Sequence, residues 1–308
     1  MRAALSNAPA TSLASKATPS LGSLYGLLLL MVFFWALNFI VGKVALREFP
    51  SFFLANLRVA VAGAAMLPLF ALRQRRHPLR ITWREGRMLF LLGAFGVSLN
   101  QIFFTLGLAR TSVAHSSILI AMTPVQVVLL AAAIGQEKLT ARKILGLLIA
   151  IGGVAVLQLA RHGGSTATLA GDLLILMCGF ALAAYTVFGK PVTRRYDTIT
   201  MNTFAYAGGG LLLLPLVLWQ SRSFDYGSVS ASGWLSMLYM AIFSSVVAYI
   251  IYNYALTYIP ASRVSAFSYL QPLFATLMAI PLLHESLTGS LLLGGALVLI
   301  GVVLTERG

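Results

Sequence analysis

Uncharged polar and aromatic side chains recur inside long apolar runs of this chain: Trp35, Asn38, Gln101, Thr105, His115, Tyr185, Ser244, Ser245, Tyr249, Tyr252, Tyr269 and Gln271. In hydrocarbon such groups must face a partner, a neighbouring helix or a water-lined path, because burying an unpaired amide costs a few kcal/mol. Trp35 and Asn38 share one helical face, as do Gln101 and Thr105, and Ser245, Tyr249 and Tyr252 continue a single stripe. Faces of this kind suit reversible binding: rings stack on an apolar body while amides and hydroxyls hold its polar end. Covalent chemistry is a poor match, since the chain lacks His-Glu-x-x-His and paired carboxylates inside its apolar runs. An integral-membrane enzyme is thus the remote alternative, and neither a metal nor a cofactor is expected. His115 is the midspan group whose charge would change near neutral pH.

The elements that would position these residues are membrane spans. The chain has 308 residues, 59% of them apolar or aromatic and 10% charged, against about 25% charged in a soluble domain. Residues 1–20 are polar and Ala/Ser/Pro-rich, which predicts a disordered tail. The run Gly22–Ala45 is too long for a signal-peptide core and is expected to remain as the first span. Further spans are expected at Phe52–Leu72, Met88–Leu108, Val113–Ile134, Ile144–Ala160, Leu173–Gly189, Thr200–Trp219, Trp234–Leu256, Val264–Leu283 and Leu291–Leu304. The predicted fold class is an all-α polytopic membrane protein with ten transmembrane helices.

The formal charge of +14 fits such a protein without invoking nucleic acid, because basic residues gather in cytoplasmic loops and lie against anionic lipid. Arg73, Arg75, Arg76, Arg80, Arg84 and Arg87 follow the second span; Lys138, Arg142 and Lys143 follow the fourth; Lys190, Arg194 and Arg195 follow the sixth. These gaps are predicted inside, and so are both termini. The eight acids, Glu48, Glu85, Glu137, Asp172, Asp197, Asp225, Glu285 and Glu306, all fall in gaps or span ends. A carrier strictly driven by protons usually embeds an ionisable relay, so facilitated movement down a gradient is expected over tight proton coupling. Cys178, without a second cysteine, reads as a packing residue.

The second half repeats the first at a shift of roughly 148 residues. Gly42-Lys43 falls on Gly189-Lys190, Asn38 on Tyr185, Pro68 on Pro215, Pro124 on Pro272, Glu137-x-Leu-Thr on Glu285-x-Leu-Thr, Gly146 on Gly294 and Gly153 on Gly301. Five spans per repeat is an odd number, so repeats at 21–162 and 168–305 would enter the membrane from opposite sides, as alternating-access carriers do. Pro124 and Pro272 are expected to kink their helices and act as hinges. Lys43 and Lys190 would snorkel to opposite faces, as anchors or in gating. Arg58 reads as structural, capping carbonyls or pairing with Glu48, and Glu137 and Glu285 as bonding their own turns.

Trp35-Ala-Leu-Asn38-Phe-Ile-Val-Gly42-Lys43, Asn56-Leu-Arg58, the duplicated Glu-x-Leu-Thr turns, Ala248-Tyr249-Ile-Ile-Tyr252-Asn253-Tyr254-Ala255-Leu256, Pro260-Ala261-Ser262 and Tyr269-Leu270-Gln271-Pro272 appear in this order. Together they resemble the drug/metabolite transporter superfamily, and within it the ten-helix EamA-type exporters. The general appearance and aromatic content are similar to YddG-type bacterial exporters of aromatic amino acids. The position before the second proline is often acidic in the family and is Gln271 here, which removes a group that cation coupling would use. The resemblance implies an inner-membrane exporter, both termini cytoplasmic, whose partners are a small molecule of the amino-acid class and membrane lipid, working as a monomer or weak homodimer. Multidrug or other metabolite efflux, with or without proton coupling, is the alternative.

Overall fold

The computed structural model describes residues 19–79, 81–110, 113–159, 168–275, 278 and 289–307. The described residues are helical with turns between, and contain no strand. The helices are α1 (Leu21–Ala45), α2 (Ser51–Arg76), α3 (Trp83–Arg110), α4 (Val113–Ile120), α5 (Thr123–Ala133), α6 (Ala141–Leu159), α7 (Leu169–Gly189), α8 (Thr198–Ser221), α9 (Ala231–Tyr258), α10 (Ala261–Ala266) and α11 (Gly289–Glu306). Among them α1, α2, α3, α7, α8 and α9 are long and apolar enough to cross a membrane.

Several starts are written locally. Ser20, Thr82, Thr168, Asp197 and Ser230 each accept a hydrogen bond from a backbone N–H in the first turn of the helix that follows, filling one of the donors a helix start leaves open. At Thr82 the bond is reciprocal, since Glu85 accepts from the Thr82 N–H at 2.9 Å. These caps explain why α3 and α9 begin ahead of the expected Met88 and Trp234: the helix starts at its cap, in polar sequence, before hydropathy rises.

The expected fourth span, Val113–Ile134, is two helices, α4 and α5, separated by Ala121 and Met122. Pro124 occupies the first turn of α5, where its missing N–H costs nothing. The expected ninth span also starts in pieces: α10 passes into a single 3-10 turn, Phe267–Leu270, before helix resumes at 271–275. Glu285 and the remainder of that span lie outside the described residues.

Element bounds repeat with the sequence. α3 and α9 start 148 positions apart. Both α3 and α9 are interrupted by a π segment, Ala94–Ser98 and Ile242–Val247, again starting 148 positions apart. A π segment inserts a residue into the α ladder and leaves a carbonyl for other donors.

Equivalent helices run from opposite ends of the bundle. α3 starts beside Arg195, which pairs with Glu85, whereas α9 starts where Glu48 accepts from the Ser230 N–H at 2.6 Å and the Ser230 hydroxyl at 2.7 Å. At the Arg195 end also lie the Arg73–Asp197 pair at 2.7 Å and the start of α10 at Ser262. Arg142 donates to the Arg307 carbonyl at 3.3 Å, and Tyr25 meets Phe267 with ring centroids 5.5 Å apart. Both ends of the described chain therefore sit at the arginine-rich end.

The two halves are joined by backbone-close helix pairs. α6 and α11 cross where Gly146 faces Gly301 and Gly153 faces Gly294. A Cβ at Gly146 would fall 2.6 Å from the Thr305 nitrogen and 2.9 Å from the Gly301 carbonyl oxygen. At Gly153 it would fall 2.7 Å from the Val298 nitrogen and 2.8 Å from the Gly294 oxygen. Small residues at these points let membrane helices approach to backbone contact.

Candidate functional site

The helices of both halves enclose a cavity of ≈ 50 Å³, room for one or two water molecules. Its wall consists of Trp35, Asn38 and Phe39 from α1, Arg58 from α2, Asn100, Gln101 and Phe104 from α3, Ile120 from α4, Cys178 and Leu182 from α7, Ser244 and Tyr249 from α9, and Gln271. Anything the size of an amino acid requires these helices to separate. Three irregular backbone features supply the wall: Ser244 belongs to the π segment of α9, Ile120 ends α4 at the break, and Gln271 follows the 3-10 turn. Broken backbone at this depth is tolerated where protein or a cavity satisfies it.

A polar network ties the wall together. The Trp35 indole N–H donates to the Ser244 carbonyl at 3.0 Å, and the Ser244 hydroxyl donates to the Phe34 carbonyl at 3.2 Å. The Trp35 ring lies 5.7 Å from Tyr249 and 5.6 Å from Tyr252, within the range of favourable aromatic pairs. Tyr249 donates to Asn100 Oδ1 at 2.9 Å, and Asn100 Nδ2 donates to the Cys178 carbonyl at 2.8 Å. Gln101 Nε2 donates to the Tyr206 hydroxyl at 3.2 Å. Asn38 Oδ1 is buried and accepts from no described residue.

Of the two partners expected for Arg58, the structure shows a carbonyl and not Glu48. Glu48 is engaged by Ser230, and Arg58 is 1% exposed in the bundle interior. Its NH2 donates to the Met240 carbonyl at 3.2 Å and to the Ser245 hydroxyl at 3.1 Å. Ser245 itself donates to the same Met240 carbonyl at 2.8 Å, so both groups use an oxygen beside the π segment. Nε and NH1 have no hydrogen-bond partner among the described residues. The Phe104 ring centroid lies 6.0 Å from the guanidinium carbon.

The other residues singled out from the sequence fall into two groups and two single residues. Trp35, Asn38, Gln101, Ser244, Tyr249 and Gln271 meet at the cavity. Ser245, Tyr185, Tyr252 and Thr105 stand behind it. Tyr185 accepts from Asn253 Nδ2 at 2.8 Å, Tyr252 bonds Thr186, and Thr105 donates back to the Gln101 carbonyl of its own helix at 2.9 Å. Tyr269 is buried with its hydroxyl unpartnered. His115 belongs to α4, and its side chain lies outside the described residues.

Among the gating candidates, Pro124 and Pro272 follow the two helix breaks. Lys190 donates to the Leu256 and Ile259 carbonyls at the end of α9, a favourable place for a cation. Lys43 lines a wide recess at the opposite end with Arg47, Phe49 and Pro50. Glu137 does not cap its own turn. It accepts from the Ser262 N–H at 3.1 Å and the Ser262 hydroxyl, and pairs with Lys143 at 3.0 Å, fastening the start of α10 across the two halves. Burial opposes its charge, yet these bonds hold its carboxyl below the ordinary carboxylate range.

Asn100 was not singled out from the sequence, and the carbonyl that Arg58 bonds belongs to the other half of the chain. The available signal was a cation two turns inside an apolar run, with no acid one helical turn away.

Comparison with known proteins bears on the family and the fold. The model of the EamA-like transporter family matches residues 22–159 and again 169–307. An archaeal protein of Archaeoglobus fulgidus, described as an uncharacterized transporter, is 32% identical over 91% of this chain and 97% of its own. A probable terminal-alkyne amino-acid exporter of Streptantibioticus cattleyicolor is 30% identical over 91% of this chain and 92% of its own. A solved crystal structure, 21% identical, shares the fold with a TM-score of 0.72 over 93% of this chain and 97% of its own.

Proposed function

Given that the chain belongs to the EamA-like transporter family and is a multi-pass membrane protein, we propose that it exports amino acids and similar small amphipathic metabolites by alternating access. The observation carrying this reading is the cavity itself, where the irregular segments of both halves meet a wall of aromatic, amide and apolar groups. The name given to the Streptantibioticus relative supports the substrate class.

In this reading ten helices form two inverted five-helix repeats, 21–162 and 168–305, in the inner membrane of a bacterial cell. Both termini are cytoplasmic, which agrees with the clustering of arginine at the end where the described chain begins and finishes. The halves rock about the breaks at Pro124 and Pro272. The ring of an amino-acid side chain packs on Trp35 and Tyr249 while Asn38, Asn100, Gln101 and Gln271 hold its polar end. The described acids, Glu48, Glu85, Glu137, Asp172, Asp197, Asp225 and Glu306, lie at helix ends or in connections, which favours a facilitative carrier over one driven by protons.

The test is uptake of labelled tryptophan, phenylalanine, threonine and a cationic dye into liposomes holding the purified protein, with and without a pH gradient. Saturable amino-acid flux without the gradient is expected. Flux of the dye alone would replace amino-acid export by drug efflux, and flux only with the gradient would replace the facilitative mechanism.

A further inference from the structure

We propose that Arg58 is the carboxylate-binding residue of the transport site, so that a carboxylate is required of anything the protein carries; this rests on the reading of the cavity as that site. Arg58 is fully buried and lines the cavity. No carboxylate lies within ion-pair distance of it among the described residues. A guanidinium has five N–H donors, and two go to Met240 and Ser245. The three on Nε and NH1 are unassigned. A cation so enclosed, with donors still open, is strongly unfavourable unless an anion comes to it, and a carboxylate satisfies charge and donors together.

Two further features define the rest of the ligand. Asn38 Oδ1, buried and unpartnered on the same cavity, is an acceptor suited to an ammonium group. Being neutral, it cannot neutralise Arg58, so a ligand bearing only a positive charge is repelled. Trp35, Phe39 and Phe104 present the apolar surface for a side chain. The position related to Arg58 by the 148-residue shift is Tyr206, a neutral phenol. Among the described residues the cavity therefore holds one anion site, and the bound species is a monocarboxylate with its ammonium toward α1.

The experiment compares L-phenylalanine, phenylacetate and phenethylamine, which share the ring and differ in charged groups, as stabilisers of the purified full chain in thermal unfolding. Chloride is kept constant and then varied. The wild type is expected to be stabilised by phenylalanine and phenylacetate and not by phenethylamine. Arg58→Gln should weaken both carboxylates about a hundredfold, with part of the binding restored in Arg58→Lys. Stabilisation by phenylacetate but not phenylalanine would keep the carboxylate site and remove the amino-acid reading. Equal stabilisation by phenylalanine and phenethylamine would overturn the carboxylate site and leave amino-acid transport standing. Unchanged carboxylate binding in Arg58→Gln, an effect of chloride alone, or no response to any of the three would also overturn it. The ligand comparison needs only wild-type protein, so it decides even if Arg58→Gln fails to fold. A purely structural Arg58 would alter phenylalanine and phenethylamine binding alike.

Discussion

Trp35 and Ser244 are laced in both directions: the indole N–H of Trp35 meets the Ser244 carbonyl at 3.0 Å, and the Ser244 hydroxyl meets the carbonyl of Phe34, beside Trp35, at 3.2 Å. α1 of one half is thereby fixed to the π segment of α9 in the other, at the wall of the cavity. Trp35→Phe keeps the ring against Tyr249 and Tyr252 but removes one buried bond. It should lower stability by about 1–2 kcal/mol and reduce transport less than Trp35→Ala does. Thermal unfolding in detergent and initial uptake rates check both parts.

Glu137 gives the protein an acid limit. Its carboxyl is held below the ordinary range by Ser262 and Lys143 despite burial. A depressed folded pKa contributes stability at pH above the unfolded carboxylate value, and that contribution is lost as pH falls through the folded one. Thermal midpoints measured from neutral to acid pH should fall below the usual carboxylate range. The fall should be shallower in Glu137→Gln, whose midpoint is already lower at neutral pH. An unchanged acid slope in that variant would remove Glu137 from the explanation.

The crossing of α6 and α11 depends on glycine. Gly153→Ala puts a methyl group 2.7 Å from a backbone nitrogen of α11 and should cost about 1–3 kcal/mol. Gly152→Ala, with nothing within 4 Å of its new Cβ, should be neutral or slightly stabilising. Parallel unfolding curves of the two variants separate close helix contact from a general intolerance of substitution in this helix.

Much of this architecture can be read directly from the chain. The 148-residue shift aligned prolines, glycines and Glu-x-Leu-Thr turns, and the same spacing separates the starts of α3 and α9 and of their π segments. The π segments themselves were not anticipated from the sequence. Nor could Arg58 be assigned its carbonyl. Its partner Met240 lies 182 positions away, and local spacing offered Glu48 as the nearer acid. Asn100 lacked a helical-face partner in the sequence; its role emerges only where α3, α7 and α9 bring it between Cys178 and Tyr249.

Asn100 should therefore matter to the shape of the cavity more than to its charge. Asn100→Ala strands the Tyr249 hydroxyl and is expected to reduce substrate affinity by about tenfold without changing the preference for carboxylates. Competition by phenylacetate and phenethylamine against labelled phenylalanine would reveal a change in that preference.

Cys178, the sole cysteine of the chain, lines the cavity and is buried, which makes it a native reporter of alternating access. Membrane-impermeant thiol reagents should be applied to intact spheroplasts and to inverted vesicles, with and without saturating phenylalanine. Reaction from each side, slowed by phenylalanine, is the expected result. Labelling from neither side in a preparation that transports, or labelling indifferent to substrate, would contradict a site that opens in turn to both faces.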